Sequence, residues 1–167
     1  VEDVAAGTIR RHLRGCTLEK TRRHGKHLFV RSSGGGWLRL HFGMTGSLEA
    51  SSGEAPMHTE LRLDFADGRH LAFVNERKFG AISWVTDVDE YVATTDLGPD
   101  PLADDVDLPA FRDRGRGRRG SVKSTLMNQE VIAGLGNVYT DEICFQAGLD
   151  PRSSTADLDE EHLEVLH

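Results

Sequence analysis

Between Cys16 and Trp84 the apolar side chains recur at every second position. Leu38, Leu40 and Phe42 alternate with Trp37, Arg39 and His41, while Leu61, Leu63 and Phe65 alternate with Arg62 and Asp64. A period of two belongs to extended chain, whose successive side chains point to opposite faces. Gly34-Gly35-Gly36 and Asp67-Gly68 separate such runs and tolerate the positive φ that tight hairpins demand. Short strands joined by turns of this kind fold into an antiparallel sandwich or small barrel.

The period differs on either side. Val1, Ala5, Ile9 and Leu13 are spaced by four, which predicts a helix over Val1 to Arg14 with Gly15 as its terminator. Leu97-Gly98-Pro99-Asp100-Pro101 breaks both patterns, because prolines remove hydrogen-bond donors and fix the chain in turns. A domain boundary is placed there, dividing the chain into residues 1–100 and 101–167. Beyond it, helices are predicted over Pro109 to Arg114, Val122 to Asn128 and Asn137 to Ala147. A last helix is predicted over Leu158 to His167, with Ser154 and Asp157 as capping candidates. The fold class is therefore α+β: an N-terminal antiparallel β-sandwich flanked by a helix, then an all-helical part.

A chain of 167 residues with 38% hydrophobic content suits one or two small soluble domains. Neither a membrane-length apolar run nor the basic-then-apolar order of a signal peptide occurs, so a cytoplasmic location is expected. Nothing demands more than a monomer. Cys16 and Cys144 lie far apart, without further ligands at zinc spacing; they read as ordinary buried thiols, and no metal site or other cofactor is expected. The net charge of −7 disfavours indiscriminate binding to nucleic acid, but the charge is unevenly spread. Basic residues crowd the segment from Arg10 to Arg31 and again from Arg112 to Lys123, whereas acid collects over Asp87 to Asp107 and Asp157 to Glu164. One such run reads as a solvated face; two suggest a local positive surface.

The chemistry-bearing signal is Val131-Ile132-Ala133-Gly134-Leu135-Gly136-Asn137-Val138-Tyr139. Glycines ahead of a helix let the backbone turn closely around a phosphate, and the first helical amides point outward at the positive end of the dipole. Asn137 adds a side-chain donor, and Lys123 upstream adds a cation. A tight helix-helix turn would explain Gly-x-Gly-Asn equally well.

Several motifs together resemble the formamidopyrimidine-DNA glycosylase and endonuclease VIII family. Ser121-Val122-Lys123, Leu126-Met127-Asn128-Gln129, Gly134 to Tyr139, Asp141-Glu142, Phe145, Ala147-Gly148 and Pro151 are similar to its helix-two-turn-helix. Lys26-His27-Leu28, Leu40 to Leu48, Arg77-Lys78-Phe79-Gly80 and Leu97 to Leu102 resemble its sandwich-domain motifs, in order. The Gly-Met-Thr-Gly and Arg-Lys-Phe-Gly forms lean toward the formamidopyrimidine branch.

The resemblance implies a partner, double-stranded DNA with an oxidised base or abasic site, and roles for individual residues. Met44, Arg77 and Phe79 match the wedge that replaces an extruded base. Singly, Met44 and Phe79 would read as core residues. Lys26, His41, His58, Arg118, Lys123, Gly136 and Asn137 match positions that hold phosphates, and Lys26 also matches a residue that assists proton transfer. Without the resemblance, His41 and His58 read as ordinary strand histidines.

Two departures bear on activity. Family members open with Pro-Glu-Leu-Pro-Glu-Val-Glu, and the proline amine attacks the sugar C1′. This chain opens with Val1-Glu2, which aligns with the later Val-Glu, so truncation is expected at this end. The family's four-cysteine zinc finger is likewise expected beyond His167. Met57-His58-Thr59-Glu60 departs from the usual lysine and two histidines. The expected function is a bifunctional glycosylase and abasic-site lyase of oxidised purines, with this chain weakly active or inactive. The alternatives are a non-catalytic module for damaged DNA and a helix-two-turn-helix that binds RNA or protein.

Overall fold

A computed structural model describes residues 6–103, 109, 113–114, 120–158 and 162. The chain divides into two compact units, Val1–Val88 and Asp89–His167. Among the described residues, the first unit begins with α1 (Ala6–Leu13) and continues with β1 (Leu18–His24), β2 (His27–Ser32), β3 (Trp37–His41), β4 (Ser47–Ser51), β5 (Thr59–Asp64), β6 (His70–Val74) and β7 (Ala81–Val85). These strands form a four-stranded sheet, β1-β2-β3-β7, and a three-stranded sheet, β4-β6-β5. Every pairing is antiparallel.

The two-residue period explains how the sheets meet. Leu38 and Leu40 from one sheet and Phe73 from the other are buried together, with Leu48, Leu61 and Leu63 packed against them. Burying each such side chain contributes roughly 1.5–3 kcal/mol. Ile9 joins this core, and Leu13 packs against it, so α1 lays its apolar stripe on the sandwich. Val1 and Ala5 of the expected stripe lie outside the described residues. Arg10, Arg11 and His12 occupy the last turn of α1, where the helix dipole favours cations. Gly15, at φ +73, ends the helix as expected. Gly35 and Gly36 have φ +91 and +71, and Gly68 has φ +84, as the two hairpin signals require.

A helix the sequence reading did not anticipate, α2 (Val88–Thr94), rises from the acidic run. Asp89 and Glu90 sit in its first turn, suited to the positive end of the dipole, and Val88 is buried. In the second unit, α3 (Val122–Met127) and α4 (Asn137–Gln146) match their expected spans within two residues. Val122, Leu126, Val131, Ile132 and Cys144 form the core there. A 3-10 turn over Thr155–Asp157 follows, and the Ser154 side chain accepts from Ala156 N to cap it. The helices expected over 109–114 and 158–167 fall largely outside the described residues.

Cys144 is buried as expected, whereas Cys16 is only partly so; its thiol donates to the His12 carbonyl at 3.3 Å. No helix among the described residues is long and apolar enough to cross a membrane. Among the same residues, no group of three or more His, Cys, Asp or Glu side chains could hold a metal ion.

Candidate nucleic-acid interface

In the first unit, turns bring the anticipated residues of three loops together. The Phe42–Gly46 turn is closed by Gly46 N–H donating to the Phe42 carbonyl at 2.9 Å, and Gly43 sits in it at φ +63. A Cβ at Gly43 would lie 2.6 Å from the carbonyl carbon and oxygen of Phe79, so only glycine lets the Met44 turn pass so close to the Phe79 backbone. Gly80 is equally confined: a Cβ there would meet the Asn75 side chain and, at 2.9 Å, the His41 carbonyl. Asn75 is fully buried, and its backbone N–H donates to the His58 carbonyl at 3.0 Å. Asn75 thereby ties the His58 loop to the one carrying Arg77, Lys78 and Phe79.

The side chains on this hub point outward. Met44 is 72% exposed and Phe79 58% exposed, which overturns the core reading each would have singly. The Arg77 guanidinium carbon lies 5.1 Å from the centre of the Phe79 ring, so a cation and an aromatic face are presented together. His58 is exposed, at φ +62.

Lys26 and His41 sit nearby in the sheet. The β1-β2 hairpin places Lys26 before His27, and His27 pairs with His41 across β2 and β3. Burial lowers the pKa of the Lys26 ammonium. His41 is also lowered, first by burial and then by the charges of Arg39 and Lys26. For His27, burial first and Arg39 next bring the value from 6.5 to about 3.

The second unit positions Lys123 and the anticipated glycine turn on adjoining helices. The Ser121 side chain accepts from Ser124 N and caps α3, fixing the helix that carries Lys123. Lys123 Nζ bonds Asp141 Oδ1 at 2.5 Å. Between α3 and α4, Gln129 clamps the glycine turn: its Nε2 donates to the Leu135 carbonyl at 2.8 Å, and its Oε1 accepts from Gly134 N–H at 2.9 Å. Gly134, at φ +112, makes that turn possible. Gly136 then takes the N-cap position of α4 in extended conformation without a side-chain cap. The first amides of α4 are left facing outward beside the exposed Asn137. The 97–101 segment braces the same turn, through Gly98 N–H to the Gln129 carbonyl at 2.8 Å and Ala133 N–H to the Pro99 carbonyl at 2.9 Å.

Arg118 lies outside the described residues, as do Arg112, Arg116 and Arg119. Gln129, Asp141, Asn75, His27 and Arg39 were not singled out for a site role from sequence. Gln129, Asp141 and His27 stand inside the quoted motifs; Arg39 and Asn75 are distinguished only by burial.

Residues 1–82 match the family model described as the formamidopyrimidine-DNA glycosylase N-terminal domain, and residues 97–167 match its H2TH domain. The chain belongs to the formamidopyrimidine-DNA glycosylase family. The formamidopyrimidine-DNA glycosylase of Moorella thermoacetica is 38% identical over 163 residues, covering 95% of this chain and 60% of that protein. The Lactococcus lactis protein solved with FAPY-dG containing DNA superposes with a TM-score of 0.89 at 31% identity, covering 96% of this chain and 62% of that one. The same Lactococcus protein bound non-covalently to an AP site containing DNA also gives 0.89 at 31% identity, covering 96% and 63%. This formamidopyrimidine-DNA glycosylase family chain therefore spans about six-tenths of the length of these relatives.

Proposed function

We propose that this chain is the DNA-gripping part of a base-excision glycosylase and abasic-site lyase that removes oxidised purines such as 8-oxoguanine and formamidopyrimidines. The observation that carries the reading is the joining of the Met44, His58 and Arg77–Phe79 loops through Gly43, Asn75 and Gly80. A base in a duplex is reachable only after extrusion. The exposed Met44 and Phe79 would fill the vacated stack, and Arg77 would bond the orphaned partner base.

Lys26, His41 and His58 of the first unit, and Arg118, Lys123, Gly136 and Asn137 of the second, take phosphates of double-stranded DNA, with the chain acting as a monomer. These contacts position the duplex without reading its sequence. Residues 1–100 carry the wedge and residues 101–167 the helix-two-turn-helix grip. In the reaction, a secondary amine attacks C1′, the base leaves with a proton, and the resulting iminium permits elimination of the 3′ and then the 5′ phosphate. Lys26, whose ammonium burial makes a readier proton donor, would serve those transfers. The amine belongs to the family's opening Pro-Glu, of which Val1-Glu2 is not the counterpart.

Borohydride trapping on 8-oxoguanine duplex tests this with a version carrying the family's Pro-Glu-Leu-Pro-Glu opening and C-terminal finger. A covalent adduct is expected. Its absence, with abasic duplex still bound, would favour a non-catalytic module for damaged DNA.

A further inference from the structure

The face of the four-stranded sheet opposite the sandwich core carries a buried cation. Arg39 pairs with Phe29 on β2 and with Ser83 on β7, and it is 1% exposed. Its Nε donates to Ser83 Oγ at 2.6 Å, and its NH1 lies 2.9 Å from His27 Nδ1. A guanidinium nitrogen can only donate, so His27 Nδ1 accepts and the ring proton sits on Nε2. The His27 ring lies 5.0 Å from that of His41, tilted by 56°. At His41 the backbone N–H of Gly43 donates to Nδ1 at 3.1 Å. A backbone amide cannot accept, so His41 also carries its proton on Nε2.

We propose that Arg39 and His27 are positioning residues that keep the His41 ring neutral in the Nε2–H form selected by the Gly43 amide, so that it meets a phosphate oxygen as a neutral donor rather than as a cation. This rests on the reading of His41 as a backbone contact. Protonating His41 would break the Gly43 bond and set a charge among Arg39 on β3, His27 on β2 and Lys26 from the hairpin, while His24 on β1 faces His27. Burial of His41 acts in the same direction. The functional consequence concerns salt. A cation that neutralises a phosphate releases a counter-ion and steepens the salt dependence of binding, whereas a neutral donor adds affinity without slope.

The test uses the 167-residue chain. Nitrogen-15 imidazole spectra report the His41 tautomer, and titrations of an abasic-analogue duplex at several salt concentrations report affinity and slope. The wild-type chain should show the single Nε2–H form of His41 at neutral and mildly alkaline pH. His41→Ala should weaken binding about fivefold with no change in slope. Arg39→Met, and His27→Asn, which keeps an acceptor for Arg39 but removes the ring, should each cost the single-tautomer signature and about threefold in affinity. If Arg39→Met does not fold, His27→Asn decides, and the wild-type spectrum with the His41→Ala slope stands apart from both.

Should the folded variants keep the His41 signature and full affinity, the positioning role is wrong and the phosphate contact survives. A slope reduced by about 0.9 in His41→Ala would mean that His41 binds as a cation, overturning the neutral donor. Unchanged affinity in His41→Ala would instead overturn the DNA contact itself.

Discussion

Lys123 Nζ lies 2.5 Å from Asp141 Oδ1, so an ion pair joins α3 to the first turns of α4. The side chains are 29% and 48% exposed, and a pair this open contributes only about 0–1 kcal/mol to stability. Its greater effect is on where the ammonium stands: held against Asp141 of α4, the helix that begins after Gly136. A bound phosphate and the Asp141 carboxylate would compete for it. Asp141→Asn should therefore tighten duplex binding by about threefold, while Lys123→Ala weakens it and lowers the salt slope by about 0.9. Titrations at graded salt check both; unchanged affinity and slope in Lys123→Ala would favour an RNA or protein partner for this helix pair.

Gln129 makes a different kind of prediction. Its amide bonds the Met127 and Leu135 carbonyls and the Gly134 N–H, which holds the glycine turn from inside the second unit. Gln129→Ala leaves the partly buried Gly134 N–H and Leu135 carbonyl without that clamp. The expected cost is about 1–3 kcal/mol in urea unfolding, with weaker duplex binding at unchanged salt slope because no charge is lost.

His27 should make the chain acid-sensitive. Its pKa falls from 6.5 to about 3 on folding, so the unfolded state binds more protons at intermediate pH. Stability is then fully present above about 6.5 and is lost as pH drops toward about 3. Urea midpoints at pH 7 and pH 5 should differ in that direction, and His27→Asn should narrow the difference. Equal narrowing in a variant of the exposed His58 would remove His27 from this role.

Much of this was legible because it depends on local pattern. The alternation at Leu38 to Phe42 placed a strand, the positive-φ signals at Gly35, Gly36 and Gly68 placed hairpins, and Gly134 to Asn137 marked the turn before α4. Other features depend on distant partners. Alternation puts Arg39 on the face opposite Leu38 and Leu40, but it says nothing of cover, and Arg39 proves buried with His27 and Ser83 as partners. Asp141 stands 18 positions from Lys123, and only the packing of α3 on α4 joins them. The helix α2 was hidden because a seven-residue element within an acidic run has too few turns for its apolar stripe to stand out.

Whether the loops around Gly43 and Gly80 form a wedge for damaged DNA is decided by comparing two duplexes. Fluorescence titration of the chain against an abasic-analogue duplex and its undamaged counterpart should show tighter binding to the abasic one. Phe79→Ala should erase most of that preference, costing the abasic duplex about tenfold and the undamaged duplex much less. Equal affinity for the two duplexes, or equal losses on both in Phe79→Ala, would mean that these loops form no such wedge.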